Sequence, residues 1–70
     1  IMVYVWTGYL KEDLLNKYGK DVFKNIDVLI DGKFEIAKKD LTLRLRGSSN
    51  QRVINVQESL KKNEVVLMQD

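Results

Sequence analysis

The sequence predicts an α/β fold in which one β-α-β unit is followed by a β-hairpin, and three observations carry that expectation. Residues 1–6 and 28–30 are short, wholly apolar or aromatic runs. Such runs fit strands buried on both faces of a parallel sheet flanked by helices. Between them, Leu10, Leu14, Leu15 and Tyr18 recur at helical spacing. From Leu41 the period becomes two, with Leu41, Leu43 and Leu45 alternating with Thr42, Arg44 and Arg46, which is the pattern of a half-exposed strand.

The first strand stops at Thr7-Gly8. In the helix that follows, Glu12 and Asp13 fall in the first turn, where the macrodipole favours negative charge, and Gly19 terminates it. Asp21 is placed to cap a second short helical turn that puts Val22, Phe23 and Ile26 on one side. Val28-Leu29-Ile30, bounded by Asp27 and Asp31-Gly32, is the second strand, parallel to the first. Asp31-Gly32 then opens a surface loop through residues 33–40, although the pair could also turn a hairpin into residues 33–36. Gly47-Ser48-Ser49-Asn50 breaks the alternating strand, residues 52–56 resume strand composition, residues 59–63 read as a helical turn or loop, and residues 65–68 as a last short strand.

Seventy residues make one small unit. A chain of this size buries only about 60% of the surface its unfolded form exposes, so its core is marginal. With neither cysteine nor histidine, the chain alone offers no disulfide, thiolate nucleophile, imidazole base or ordinary zinc or iron-sulfur site. No catalytic residue and no metal ligand is therefore assigned. The charged fraction of 31% and hydrophobic fraction of 44% are those of a soluble globular domain. No apolar run approaches the ~20 residues of a membrane span. A net charge of +2 does not by itself imply nucleic acid. Ile1 opens directly into an apolar strand and reads as a truncation point, leaving a sheet edge that favours self-association.

Three segments could carry function. Thr7-Gly8-Tyr9 and Asp31 fall at the carboxyl ends of the two parallel strands, the edge at which open α/β sheets bind ligands. Each also has a plain reading, as a strand-to-helix turn and a solvated turn aspartate. Arg46-Gly47-Ser48-Ser49-Asn50-Gln51-Arg52 gathers guanidinium, hydroxyl and amide groups around a glycine. It could bind an anion, or serve simply as a tight connection. Its spacing is neither that of a P-loop nor that of a dinucleotide fingerprint. Tyr4 and Trp6 share one face of the first strand, where they could stack on bases but fit better as core beneath a helix. The pairs Lys38-Lys39 and Lys61-Lys62 read as solvated charges.

The blocks Val5-Trp6-Thr7-Gly8-Tyr9, Asp27-Val28-Leu29-Ile30-Asp31-Gly32-Lys33-Phe34, Lys39-Asp40-Leu41-Thr42-Leu43-Arg44 and Arg46-Gly47-Ser48-Ser49-Asn50-Gln51-Arg52-Val53-Ile54, in this order, resemble the C-terminal part of the glycyl-radical-activating, radical S-adenosylmethionine family that serves anaerobic ribonucleoside-triphosphate reductase. The resemblance implies that residues 1–70 are one fragment, the C-terminal portion of a partial (half) β/α barrel from a cytoplasmic protein. The family holds a 4Fe-4S cluster with three N-terminal cysteines and uses it to cleave S-adenosylmethionine reductively. The resulting 5'-deoxyadenosyl radical takes a hydrogen atom from a glycine of the large reductase subunit. That subunit and the missing N-terminal half of the chain are the implied partners. Thr7, Gly8, Asp31 and Lys33 are the implied cofactor-edge residues, and Arg46, Gly47, Ser48, Ser49, Asn50, Gln51 and Arg52 a cofactor-shaping, partner-docking or bracing loop. The fragment alone is expected to bind no cofactor and to be inactive. Two rival readings remain: a small basic hairpin that binds nucleic acid through Arg44, Arg46 and Arg52, and a stand-alone protein-interaction domain.

Overall fold

A computed structural model describes residues 1–69. Its centre is a three-stranded mixed sheet in the order β1-β2-β3, made of β1 (Tyr4–Trp6), β2 (Val28–Asp31) and β3 (Arg52–Asn55). β1 and β2 are parallel, with Tyr4 opposite Val28 and Trp6 opposite Ile30. The crossover between them carries helix α1 (Lys11–Tyr18) and a 3₁₀ turn, Lys20–Phe23. This is the expected β-α-β unit. β3 lies antiparallel to β2, and helix α2 (Val56–Lys62) follows it directly.

Period-two alternation divides the sheet's side chains between two faces. Val5, Leu29 and Ile54 sit side by side across the three strands. With Phe23 and Val56 they form the core beneath the helices, joined by Leu14, Leu15, Ile26, Leu60 and Val65. Val28, Ile30 and Val53 form a second cluster on the opposite face, covered by Leu45 and Met68. Among the described residues no helix caps that side. Gly19 ends α1 as expected, at φ 80°, with its N–H on the Leu15 carbonyl.

Four expectations are corrected. The first strand is not buried on both faces: Tyr4 is 40% exposed and Trp6 57%, because β1 lies at the edge of the sheet. Nor do the two rings pack beneath a helix. They stack on each other at 6.3 Å on the helix-free face, and the Trp6 indole N–H donates to the Leu45 carbonyl at 2.8 Å. The expected hairpin is absent, since residues 41–45 form no strand and β3 takes β2 as its partner. Asp40 is the cause: its carboxylate accepts from both the backbone N–H and the hydroxyl of Thr42, and its carbonyl accepts from the Leu43 N–H. This side-chain turn competes with strand geometry, and it leaves Leu41 87% exposed. Finally, Asp21 does not cap the 3₁₀ turn; Gly19 holds that position without a side-chain bond, and Asp21 pairs with Lys24 instead.

Elsewhere the open loop after Gly32 is present, with a short 3₁₀ turn at Ile36–Lys38. The last expected strand reduces to one bridge, Ile54 to Leu67, with flanking backbone bonds from Asn55 to Val66 and from Met68 to Val53. α2 is longer than the turn foreseen at residues 59–63. Asn55 caps it by accepting from the Glu58 N–H, and Asn63 closes it in the left-handed region at φ 56°.

Candidate functional site

The sheet brings the carboxyl ends of β1 and β2 together. Thr7 N–H donates to the Ile30 carbonyl at 3.0 Å, and Gly32 N–H donates to the Tyr9 carbonyl at 3.1 Å. The Thr7 hydroxyl accepts from the Tyr9 N–H at 3.2 Å. Thr7, Gly8, Asp31 and Lys33 therefore share one edge. Gly32 turns the chain there at φ 95°, a conformation that favours glycine, with its α-carbon face against the Gln51 backbone.

Asp31 does not face an open groove. It is fully buried, and its carboxylate accepts the Lys11 N–H at the start of α1 at 2.8 Å. Arg52, opposite Asp31 in the β2-β3 register, donates to it through Nε at 2.9 Å and through Nη2. A buried carboxylate must be paired and hydrogen-bonded to stay charged, and these donors fulfil that need. Arg52 Nη2 also donates to Glu12 at 2.7 Å. That bond holds the Glu12 carboxyl below its ordinary value, while the Asp31 bonds push the Arg52 guanidinium further up. The expected cofactor aspartate is thus the keystone joining α1, β2 and β3. Lys33, two residues on, is exposed, and its ammonium has no protein partner among the described residues.

The Arg46–Arg52 loop turns inward. Gln51 is buried, and its Oε1 accepts from the Gly47 N–H at 2.8 Å and the Ser48 N–H at 3.2 Å, while its Nε2 donates to the Gly32 carbonyl at 2.9 Å. Ser48 is fully buried; its hydroxyl accepts from the Glu35 N–H and donates to Asn50. Asn50 in turn donates to the Lys33 carbonyl at 2.8 Å. Arg46 donates to the carbonyls of Ser49 and Gln51. A backbone bridge between Lys39 and Ser48 ties the two loops together. Of the three roles left open for this loop, the geometry displays bracing. A cavity of about 520 Å³ is lined by Arg46, Asn50, Val53 and Met68 among others, and neither Thr7 nor Lys33 belongs to its lining. With Arg52 bound to two carboxylates and Arg46 to its own loop, two of the three arginines of the nucleic-acid reading are engaged internally.

Sequence reasoning found the residues of this edge but missed two relations. Nothing in the local spacing connects Asp31 with an arginine 21 residues later, or Gln51 with the carbonyl of Gly32. The glutamine among small loop residues was the available signal, because a long amide in a tight turn reaches backbone groups that a hydroxyl cannot.

A family described as "4Fe-4S single cluster domain" matches residues 1–54. The anaerobic ribonucleoside-triphosphate reductase-activating protein of Pasteurella multocida is 51% identical over 53 residues, covering 70% of this chain and 32% of the relative. The protein of the same name from Escherichia coli is 53% identical over 51 residues, covering 73% of this chain and 32% of its own length. The Haemophilus influenzae counterpart is 51% identical over 49 residues, 70% of this chain and 31% of the relative. This chain thus spans about a third of the length of the curated relatives it matches. No solved structure gives a significant match. The family implies an iron-sulfur cluster, and this chain's donor set does not fit one: the sequence has no cysteine or histidine, and no metal-holding group of acidic residues occurs among the described residues. The matched span contains the strand ends and the bracing loop just described, and the chain belongs to the 4Fe-4S single cluster domain family.

Proposed function

We propose that this chain is the cofactor-edge scaffold of a radical S-adenosylmethionine activating protein, part of a half barrel, whose target is the large subunit of anaerobic ribonucleoside-triphosphate reductase. In this reading the protein works in the cytoplasm, the cluster thiolates come from a segment outside these 70 residues, and the cluster and S-adenosylmethionine supply the radical chemistry that ends in a glycyl radical on the reductase. The residues here bind and orient. The observation that carries the reading is that the stretch matched by the cluster-domain family contains one sheet edge formed by Thr7, Gly8, Asp31 and Lys33, with the exposed Lys33 ammonium unpaired among the described residues. An ammonium with three open donors fits a carboxylate, such as the one S-adenosylmethionine bears. Thr7 keeps its hydroxyl proton to donate, since the hydroxyl accepts from Tyr9. Asp31 serves by fixing the edge, not by touching the cofactor.

The test is an exchange. The segment of the Escherichia coli relative that aligns with this chain is replaced by it, the cluster is reconstituted anaerobically, and glycyl radical on the reductase is measured by electron paramagnetic resonance. A radical signal within a few-fold of the parent's is expected. A folded exchange protein that holds its cluster and yields no radical would overturn the proposal. The 70-residue chain alone, treated with iron and sulfide, should retain no stoichiometric cluster after desalting.

A further inference from the structure

We infer that Gln51 is a positioning residue, whose side-chain amide fixes the backbone at Gly32 so that Lys33 presents its ammonium at the carboxyl edge beside Thr7 and Gly8. What Lys33 meets there rests on the function proposed above; the clasp itself does not.

Three side chains of one loop take three backbone groups of another. Gln51 donates to the Gly32 carbonyl, Asn50 to the Lys33 carbonyl, and Ser48 accepts from the Glu35 N–H. All three contacts are to main chain, so they set the path of residues 32–35 without engaging the Lys33 side chain. Gln51 is the member on which the others depend. Its Oε1 gathers the N–H groups of Gly47 and Ser48, which shapes the loop that delivers the Ser48 hydroxyl, and its Nε2 reaches across to Gly32. Only a side chain with an acceptor and a donor on one planar group makes both halves of this contact. A glutamate keeps the acceptor, loses the donor, and sets an oxygen against the Gly32 carbonyl.

The arrangement matters because Gly32 is in the left-handed region, and the residue after it would otherwise sample many directions. Fixing the backbone before a ligand arrives removes an ordering cost from binding. The Lys33 side chain stays exposed and unpaired among the described residues, so the order is spent on aiming the residue and not on consuming its charge.

Gln51→Glu gives a test that a merely structural role would not pass. The introduced carboxyl takes up a proton as the pH falls, and the acid form regains a donor toward Gly32. In the 70-residue chain, ¹⁵N relaxation should show the Lys33 and Phe34 amides rigid in the parent, mobile in Gln51→Glu at about pH 7.5, and rigid again at about pH 5. In the cluster-loaded exchange protein, equilibrium dialysis with S-adenosylmethionine should show about a tenfold loss of affinity for Gln51→Glu at the higher pH, equivalent to one lost hydrogen bond, with recovery at the lower. The unsubstituted protein should show no such recovery. Asn50→Asp, at a less buried position, is the second variant and should weaken binding in the same sense should Gln51→Glu fail to fold. Unchanged Lys33 dynamics in the folded variant would overturn the clasp. Altered dynamics with unchanged affinity would overturn the positioning role. An unsubstituted exchange protein that binds no S-adenosylmethionine would refute the proposed function instead, and the relaxation arm would still decide the clasp.

Discussion

β1 and β2 are both short, apolar and in parallel register, yet every residue of β2 is buried while Tyr4 and Trp6 of β1 stand half open. The difference is place, not composition. β2 has a partner on each side, helices on one face and Leu45 with Met68 on the other; β1 has one neighbour and no helix over its aromatic face. The strand tips differ in the same way. β2 ends in a carboxylate consumed by the fold, whereas β1 runs out into Thr7-Gly8, where a side chain at Gly8 would meet nothing within 4 Å. The pair teaches that the rigid half of the edge comes from the central strand, and that the accessible groups lie just past it.

Substitutions can break this contrast, and the largest effect should come from Asp31→Ala. It removes the buried one of the two carboxylates that hold Arg52 and frees the first amide of α1, and removing one partner of a buried ion pair costs about 3 kcal/mol. For a core expected to supply about 5 kcal/mol, that leaves a substantially unfolded population, measurable by urea titration and circular dichroism. Next, Leu29→Ala in β2 should cost about 3 kcal/mol, and Val5→Ala, beside it in register but half-buried, about 1 kcal/mol. Equal losses in the two melts would erase the distinction between centre and edge. Trp6→Phe removes the indole N–H bond to Leu45 and part of the ring stacked on Tyr4, about 1 kcal/mol on this exposed face, and the parent's single tryptophan should emit at long wavelength and be readily quenched by acrylamide. Smallest is Glu12→Gln, a few tenths of a kcal/mol at neutral pH, because Glu12 is largely exposed. Its folded pKa lies below 4.5, so its contribution is present above that value and disappears as the pH falls through the folded value. Parent and variant melts should therefore converge as the pH falls below the folded value.

Much of the architecture was legible in the chain itself. Val28-Leu29-Ile30 between two aspartates could be little other than a buried strand, and the spacing from Leu10 to Tyr18 gave α1 within a residue. Alternation at Leu41, Leu43 and Leu45 misled because the competing bond, from Asp40 to Thr42, is a local polar contact that hydrophobic periodicity does not register. The edge residues could be listed from strand ends, but their fates could not. Asp31 and Lys33 look equally available in sequence; a guanidinium arriving from β3 separates them, and that neighbour is set by strand order. The role of Gln51 was hidden likewise, since it acts on a carbonyl 19 residues earlier.

The Asp31 bond to the Lys11 N–H also governs how the domain forms. Leu10, at the start of α1, provides no side-chain cap, and the helix has only eight residues, well short of the ~12 to 15 at which isolated helices become marginal in water. Its missing cap arrives from the end of β2, on a side chain held in place by β3. Helix nucleation is thereby made contingent on strand pairing between distant parts of the chain. α1 should be absent from an isolated peptide of its own residues, and in the intact domain its amides should exchange only through openings that also release β2, so that helix and sheet melt as one cooperative unit.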